Sequence, residues 1–208
     1  MAVSRQEVGR SEMKKYGVLL AVLMLAGCSA QPTVKSWMDP VSSVTITAQT
    51  EPMVMIRAEP PPVFNERDYA QLTAIEVNRM GDRRLYLVAI LWTTADFSPT
   101  VPQKLEASFQ NVEVQVGDRA LSLARHAGTA SELGISQSAL PLPIPGSTHI
   151  YFPIEREDLL AISRSNRILL TARGVPDAPR RYEEFSDGRQ SLSDFLSQLP
   201  GESSRSGG

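Results

Sequence analysis

The chain has 208 residues, 42% of them hydrophobic, 21% charged and 6% aromatic, with 21 basic and 23 acidic side chains and a single cysteine. Such a length supplies one ordinary domain with its own core. The slightly acidic balance argues against a phosphate-binding surface, and so against nucleic acid, and one thiol excludes an internal disulfide.

In chain order, the first feature is Lys14 and Lys15, followed by the apolar run YGVLLAVLMLA over residues 16–26 and then by Gly27 and Cys28. A basic start, an apolar centre of about ten residues and small residues at its end have the form of a secretory signal. The run is too short to span a bilayer, which takes roughly 20 apolar residues. Leu25-Ala26-Gly27-Cys28 resembles the lipobox of bacterial lipoproteins at every position. The resemblance implies cleavage between Gly27 and Cys28 and a diacylglycerol on the sulfur, with a third acyl chain on the new amino group in many bacteria. One chain binds a membrane only marginally; two or three hold durably. In that family an Asp directly after the cysteine favours inner-membrane retention in enteric bacteria. Ser29 stands there instead, which implies the outer membrane, with the domain facing the periplasm. The lone thiol is therefore expected as an anchor, not a nucleophile. Met13, directly before the lysines, is an alternative start to Met1, and the sequence does not choose between them.

Removing residues 1–27 takes away four basic and two acidic residues, leaving 181 residues with 17 basic against 21 acidic, a balance of −4. Residues 28–43 are polar, carry two prolines and show no periodicity, so they read as the lipidated cysteine and a flexible tether. Trp37 and Met38 within it are expected to pack on the edge of a domain covering residues 44–200, and residues 201–208 to form a disordered tail.

Inside that domain the period is mostly two. Val44, Ile46 and Ala48 alternate with polar residues, as do Leu105, Ala107 and Phe109; Val112, Val114 and Val116; Ile150, Phe152 and Ile154; and Ile168, Leu170 and Ala172. Alternation of this length predicts half-buried strands. RMGDR over 79–83 and VGDR over 116–119 predict hairpin turns, where Gly tolerates positive φ and Asp favours the bend. PPPVF over 60–64 reads as a rigid connector. The expected fold is mainly β, an antiparallel β-sandwich of immunoglobulin-like type. Two helices interrupt it: EREDLLAISRS from Glu155, with three carboxylates near its start, and an amphipathic C-terminal helix over 191–199. In the second, Ser191 and Asp194 suggest a capping box, and Leu192, Phe195, Leu196 and Leu199 share one face.

Catalytic and metal signatures are absent from the sequence. His126 and His149 lie in no ligand-spaced cluster and read as surface histidines; no GxSxG, P-loop or GxGxxG occurs. No metal or cofactor is expected beyond the acyl chains on Cys28. The carboxylates of RRYEEFSDGRQ (180–190) read as a solvated loop. Arg79, Arg83 and Arg84 form a small basic cluster at a hairpin tip.

One strand breaks the alternation. In RLYLVAILWTT (84–94), Leu85, Leu87, Ala89 and Leu91 line one face, and Tyr86, Val88, Ile90 and Trp92 the other. A sandwich strand turns one face to the core, so the second needs a cover. The C-terminal helix is the expected cover; failing that, Tyr86 and Trp92 would form a surface where a partner docks. The functional expectation is a non-catalytic, lipid-anchored binding or assembly component of an envelope complex, with an unidentified envelope protein as partner. An envelope hydrolase with a dispersed site, or a carrier of a small apolar ligand, is the alternative.

Overall fold

The computed structural model describes residues 32–58, 67–94, 100–136, 140–174 and 178–200. The signal, Cys28, the start of the tether, the 60–64 proline run and the 201–208 tail lie outside them. The chain divides into two units, Met1–Pro32 and Thr33–Gly208, and every element below belongs to the second.

Ten strands are described: β1 (Val34–Met38), β2 (Thr45–Gln49), β3 (Met53–Arg57), β4 (Asp68–Arg79), β5 (Asp82–Thr93), β6 (Asn111–Val116), β7 (Arg119–Ala124), β8 (Thr148–Pro153), β9 (Ile168–Arg173) and β10 (Arg180–Ser186). Three helices accompany them: α1 (Thr100–Ala107), α2 (Arg156–Arg164) and α3 (Arg189–Gln198). All strand pairs are antiparallel. The mainly β, antiparallel character read from the alternation is what the chain adopts. The strands join in one hydrogen-bonded sheet ordered β1-β2-β4-β3-β10-β9-β6-β7, with β5 and β8 continuing from the other side of β4. This order does not confirm the immunoglobulin-like arrangement.

The sheet is organised around the β4–β5 hairpin, which pairs residue for residue from Asp68↔Thr93 to Arg79↔Asp82. Its tip has Met80 at φ 53° and Gly81 at φ 98°, the two positive values a twisted two-residue turn requires. β2 and β3 share one edge of β4: β3 takes the Tyr69–Leu72 half, β2 the Ile75–Asn78 half. Beyond β10 and β9, the β6–β7 hairpin turns at Gly117, φ 59°. The sheet curls until its ends approach, where the His126 N–H donates to the Tyr151 carbonyl at 2.7 Å.

The concave face holds the main core: Met53, Met55, Leu72, Leu87, Leu91, Val114, Leu123, Phe152, Leu170 and Tyr182 with their neighbours. α1 brings Leu105 to it, α2 brings Leu159 and Ile162, and α3 brings Leu192, Phe195, Leu196 and Leu199. A second core lies on the opposite face, where Ile46, Ile75, Val77, Tyr86, Val88, Ile90 and Tyr151 meet Leu133, Ile135 and Leu140 of the β7–β8 connection. The apolar second face of β5 is therefore covered, but by that connection; α3 instead joins the Leu87, Ala89 and Leu91 side.

Four further expectations are corrected. Residues 34–38 of the supposed tether form β1, because Trp37 lies on the second core and the strand pairs with β2 from Val34↔Gln49 to Met38↔Thr45. Trp37 thus packs as expected, while Met38 stays exposed. The 105–109 stretch is not a strand: Leu105 and Phe109 are buried one helical turn apart, Ala107 is exposed, and the Ser108 hydroxyl donates to the Leu105 carbonyl. Such i, i+4 spacing satisfies both periods. The Ser191 box does not form, since α3 starts at Arg189 after Gly188. Ser191 Oγ is drawn instead into a seam, donating to the Thr33 carbonyl at 2.9 Å and accepting from the Glu51 N–H at 3.2 Å. Last, α2 begins at Arg156 with Glu155 as its N-cap, so that Glu157 and Asp158 lie in the first turn. Among the described residues no helix is long and apolar enough to cross a membrane.

Candidate functional site

The candidate docking pair separates. Tyr86 is 3% exposed, set edge-on between His126 (ring centroids 5.9 Å apart) and Tyr151 (6.4 Å) within the second core. It is not available to a partner. Trp92 lies where that cover ends. Its ring stacks on Tyr69, its register partner in β4, at 5.2 Å and 8°. Phe185 meets Tyr69 edge-on at 6.0 Å and is 66% exposed. Phe185 reaches outward because the β10–β3 register slips between Glu184 and Ser186, a bulge that leaves the residue between them unpaired and re-aims its side chain. A strip of three aromatics therefore runs over the outer sheet face from β5 to β4 and, past β3, to β10. Phe185 was hidden in the sequence by its charged neighbours.

A second site combines both histidines. Where β7 and β8 meet, a cleft of about 390 Å³ is lined by Arg125, His126, Thr129, Ser131, Thr148 and His149, among others. His149 is not on a solvent-facing phase as its alternation suggested. Burial lowers its pKa from the usual value, opposed in part by a bond involving the Leu140 backbone. Gly128 sits where a side chain would strike the Glu132 carboxylate and, at 2.8 Å, His126 Nε2, so its bare Cα lets both groups close in. Glu132 also accepts from the Thr129 N–H at 3.2 Å, and Arg125 pairs with Glu106 at 2.7 Å. Tyr151 stays a neutral phenol, its pKa pushed up to about 12 by burial. The cleft presents imidazoles and hydroxyls that can donate and accept hydrogen bonds. Nothing in sequence spacing pairs residues 126 and 149; only the curl of the sheet does.

The carboxylates of 180–190 are held in ion pairs rather than facing one another. Glu184 and Asp187 both bind Arg189, at 2.6 and 2.9 Å, and Glu183 lies 3.8 Å from Arg167. At the opposite end of β10, Asp68 bridges Arg57 (3.2 Å) and Arg180 (3.4 Å) beside the buried Tyr182. Burial is the main cause that raises the Tyr182 phenol's pKa. Among the described residues no group of three or more His, Cys, Asp or Glu is arranged to hold a metal ion. No family model matches the chain, and no curated protein or solved structure matches it.

Proposed function

We propose that this chain is a lipoprotein anchored in the outer membrane through Cys28, facing the periplasm, where it acts as a non-catalytic binding or assembly component of an envelope complex. The lipobox supports the anchor, and the Tyr69–Trp92–Phe185 strip carries the binding role. Phe185 is exposed and Tyr69 and Trp92 are half-buried; aromatics at a surface are among the side chains that supply most binding energy at protein interfaces, because they bury large area at little entropic cost. None of the three belongs to either core cluster.

Two measurements test the reading. Wild-type protein should incorporate radiolabelled fatty acid and fractionate with membranes, and Cys28→Ser should lose the label; a labelled Cys28→Ser protein removes the anchor. A photoreactive residue at position 92 in cells should yield one discrete protein adduct that Phe185→Ala weakens at unchanged stability. A smear of adducts, or none, removes the binding role. The histidine cleft favours a second reading, an envelope hydrolase, since titratable groups converge there in a polar recess. Ester or amide hydrolysis by the purified chain, abolished by His126→Ala and His149→Ala together, would favour it over the first.

A further inference from the structure

The domain begins five residues after Cys28. The Thr33 carbonyl is held by the Thr50 N–H and the Ser191 hydroxyl, both at 2.9 Å, and β1 starts at Val34. Five residues span at most about 18 Å however they run. β1 itself is about 13 Å long. If the anchor is lipid, Thr33 stays within about 18 Å of the bilayer, and the surfaces beside β1 are the ones it holds next to the membrane.

Those surfaces differ at the two ends of the strand. Beside Thr33 lie Ser191, in the first turn of α3, and Glu51, against which the Gly188 turn packs; Ser193 is exposed farther along that helix. No large exposed apolar side chain occurs there among the described residues. At the Met38 end the register carries Met38 to Thr45, Thr45 to Asn78 and Asn78 to Arg83, which brings the β1–β2 turn and the β4–β5 tip to one edge of the sheet. Met38 is 65% exposed, Val41 79%, and Met80 at the tip fully so. Arg79, Arg83 and Arg84 lie on the same β4–β5 hairpin, within four residues of Met80. Arg83 and Arg84 bind Glu76 and Asp82, and Arg79 donates to the backbone carbonyl of Glu132. Of the carboxylates at this end, Asp39 is buried and accepts from Val41, Ser42 and Ser136, Glu76 and Asp82 are paired with Arg83 and Arg84, and the exposed Glu132 accepts from the Thr129 N–H.

We infer that this end of the sheet docks on the phospholipid surface, with Met38, Val41 and Met80 entering the headgroup layer and the arginines meeting lipid phosphates. Exposed methionine and valine at the strand end and turns, with arginines on the same hairpin, match that boundary, apolar below and anionic above. The inference rests on the lipid anchor proposed above, and it assigns a role to the Arg79–Arg84 cluster and to the exposed Met38 that neither core uses.

The test places a diazirine residue singly at positions 41, 80, 185 and 193 of the full-length chain in its native membranes, with fatty-acid labelling of Cys28 measured on the same samples. Phospholipid adducts should form at 41 and 80 at least fivefold more than at 185 and 193. Arg79→Glu with Met80→Asp should cut the adduct at 41 by fivefold or more. Equal yields at all four positions, a higher yield at 193, or protein adducts at 41 and 80 overturn the inference while labelled Cys28 keeps the anchor. An unlabelled Cys28 instead removes the anchor itself, and the inference with it.

Discussion

Phe195→Ala tests whether α3 is part of the main core. Phe195 is fully buried, flanked on its own helix by Leu192 and Leu196 and sharing the core with Leu159 and Ile162 of α2. Truncating a buried Phe costs about 3–5 kcal/mol, the transfer free energy of the ring plus the cavity it leaves. A ten-residue helix does not persist by itself, so the loss is not offset by the helix holding on alone. For a domain of this size each kcal/mol lowers the melting temperature by about 2–4 °C, which puts the expected fall at about 6–20 °C. Phe185→Ala is the matched control: the same residue type, 66% exposed, expected within about 0.5 kcal/mol of wild type. Urea unfolding followed by circular dichroism and tryptophan fluorescence reads both. If Phe195→Ala shifts stability by less than about 1 kcal/mol at unchanged m-value, or if the two variants lose equally, the placement of the helix is refuted.

Gly188→Ala should destabilise by about 1–3 kcal/mol in the same assay, because the new methyl would lie 2.5 Å from the Pro52 carbonyl carbon and 2.6 Å from the Glu51 oxygen, both backbone. Gly128→Ala should stay within about 0.5 kcal/mol, since only the ends of Glu132 and His126 must move, but should shift the His126 ring resonances in NMR. Asp39 is held well below the usual carboxylate range, first by the Ser136 hydroxyl and then by backbone N–H groups. A depressed native pKa adds stability above the unfolded-state value that is lost as pH falls through the native one. Asp39→Asn should therefore be less stable than wild type at pH 7, with the gap closing below the ordinary carboxylate range. A gap that persists or widens in acid overturns the assignment.

Period-two alternation in β2, β6, β8 and β9 reports a sheet with one face toward a core, and those strands were readable because each residue's fate depends on its immediate phase. β1 was not: as an edge strand it buries little of its surface, and the prolines and serines around it look like tether. The cover over Tyr86, Val88 and Ile90 was also invisible, because Leu133, Ile135 and Leu140 lie in an irregular connection whose apolar residues follow no period. The amphipathic stripe of α3 did announce a buried helix, but a stripe states how much surface must be covered, not which surface. Both candidate sites depend on long-range register. Trp92 and Phe185 meet on Tyr69 across β4 and β3, and His126 and His149 line one cleft because the ends of the sheet meet.

β5 takes part in both cores: Leu87, Ala89 and Leu91 face one, and Tyr86, Val88 and Ile90 the other, while β4 and β8 occupy its two edges. A shared wall of this kind limits how such a protein can diverge. The connection over residues 125–147 is free to change length and sequence only while it keeps laying apolar side chains on Val88 and Ile90, because a descendant that shed it would expose a strand with no polar face to turn outward. The outer layer is thus not an ornament added to a finished sheet. Any relative that keeps a β5 of this composition must carry an equivalent cover, whose residues are free to differ throughout from these.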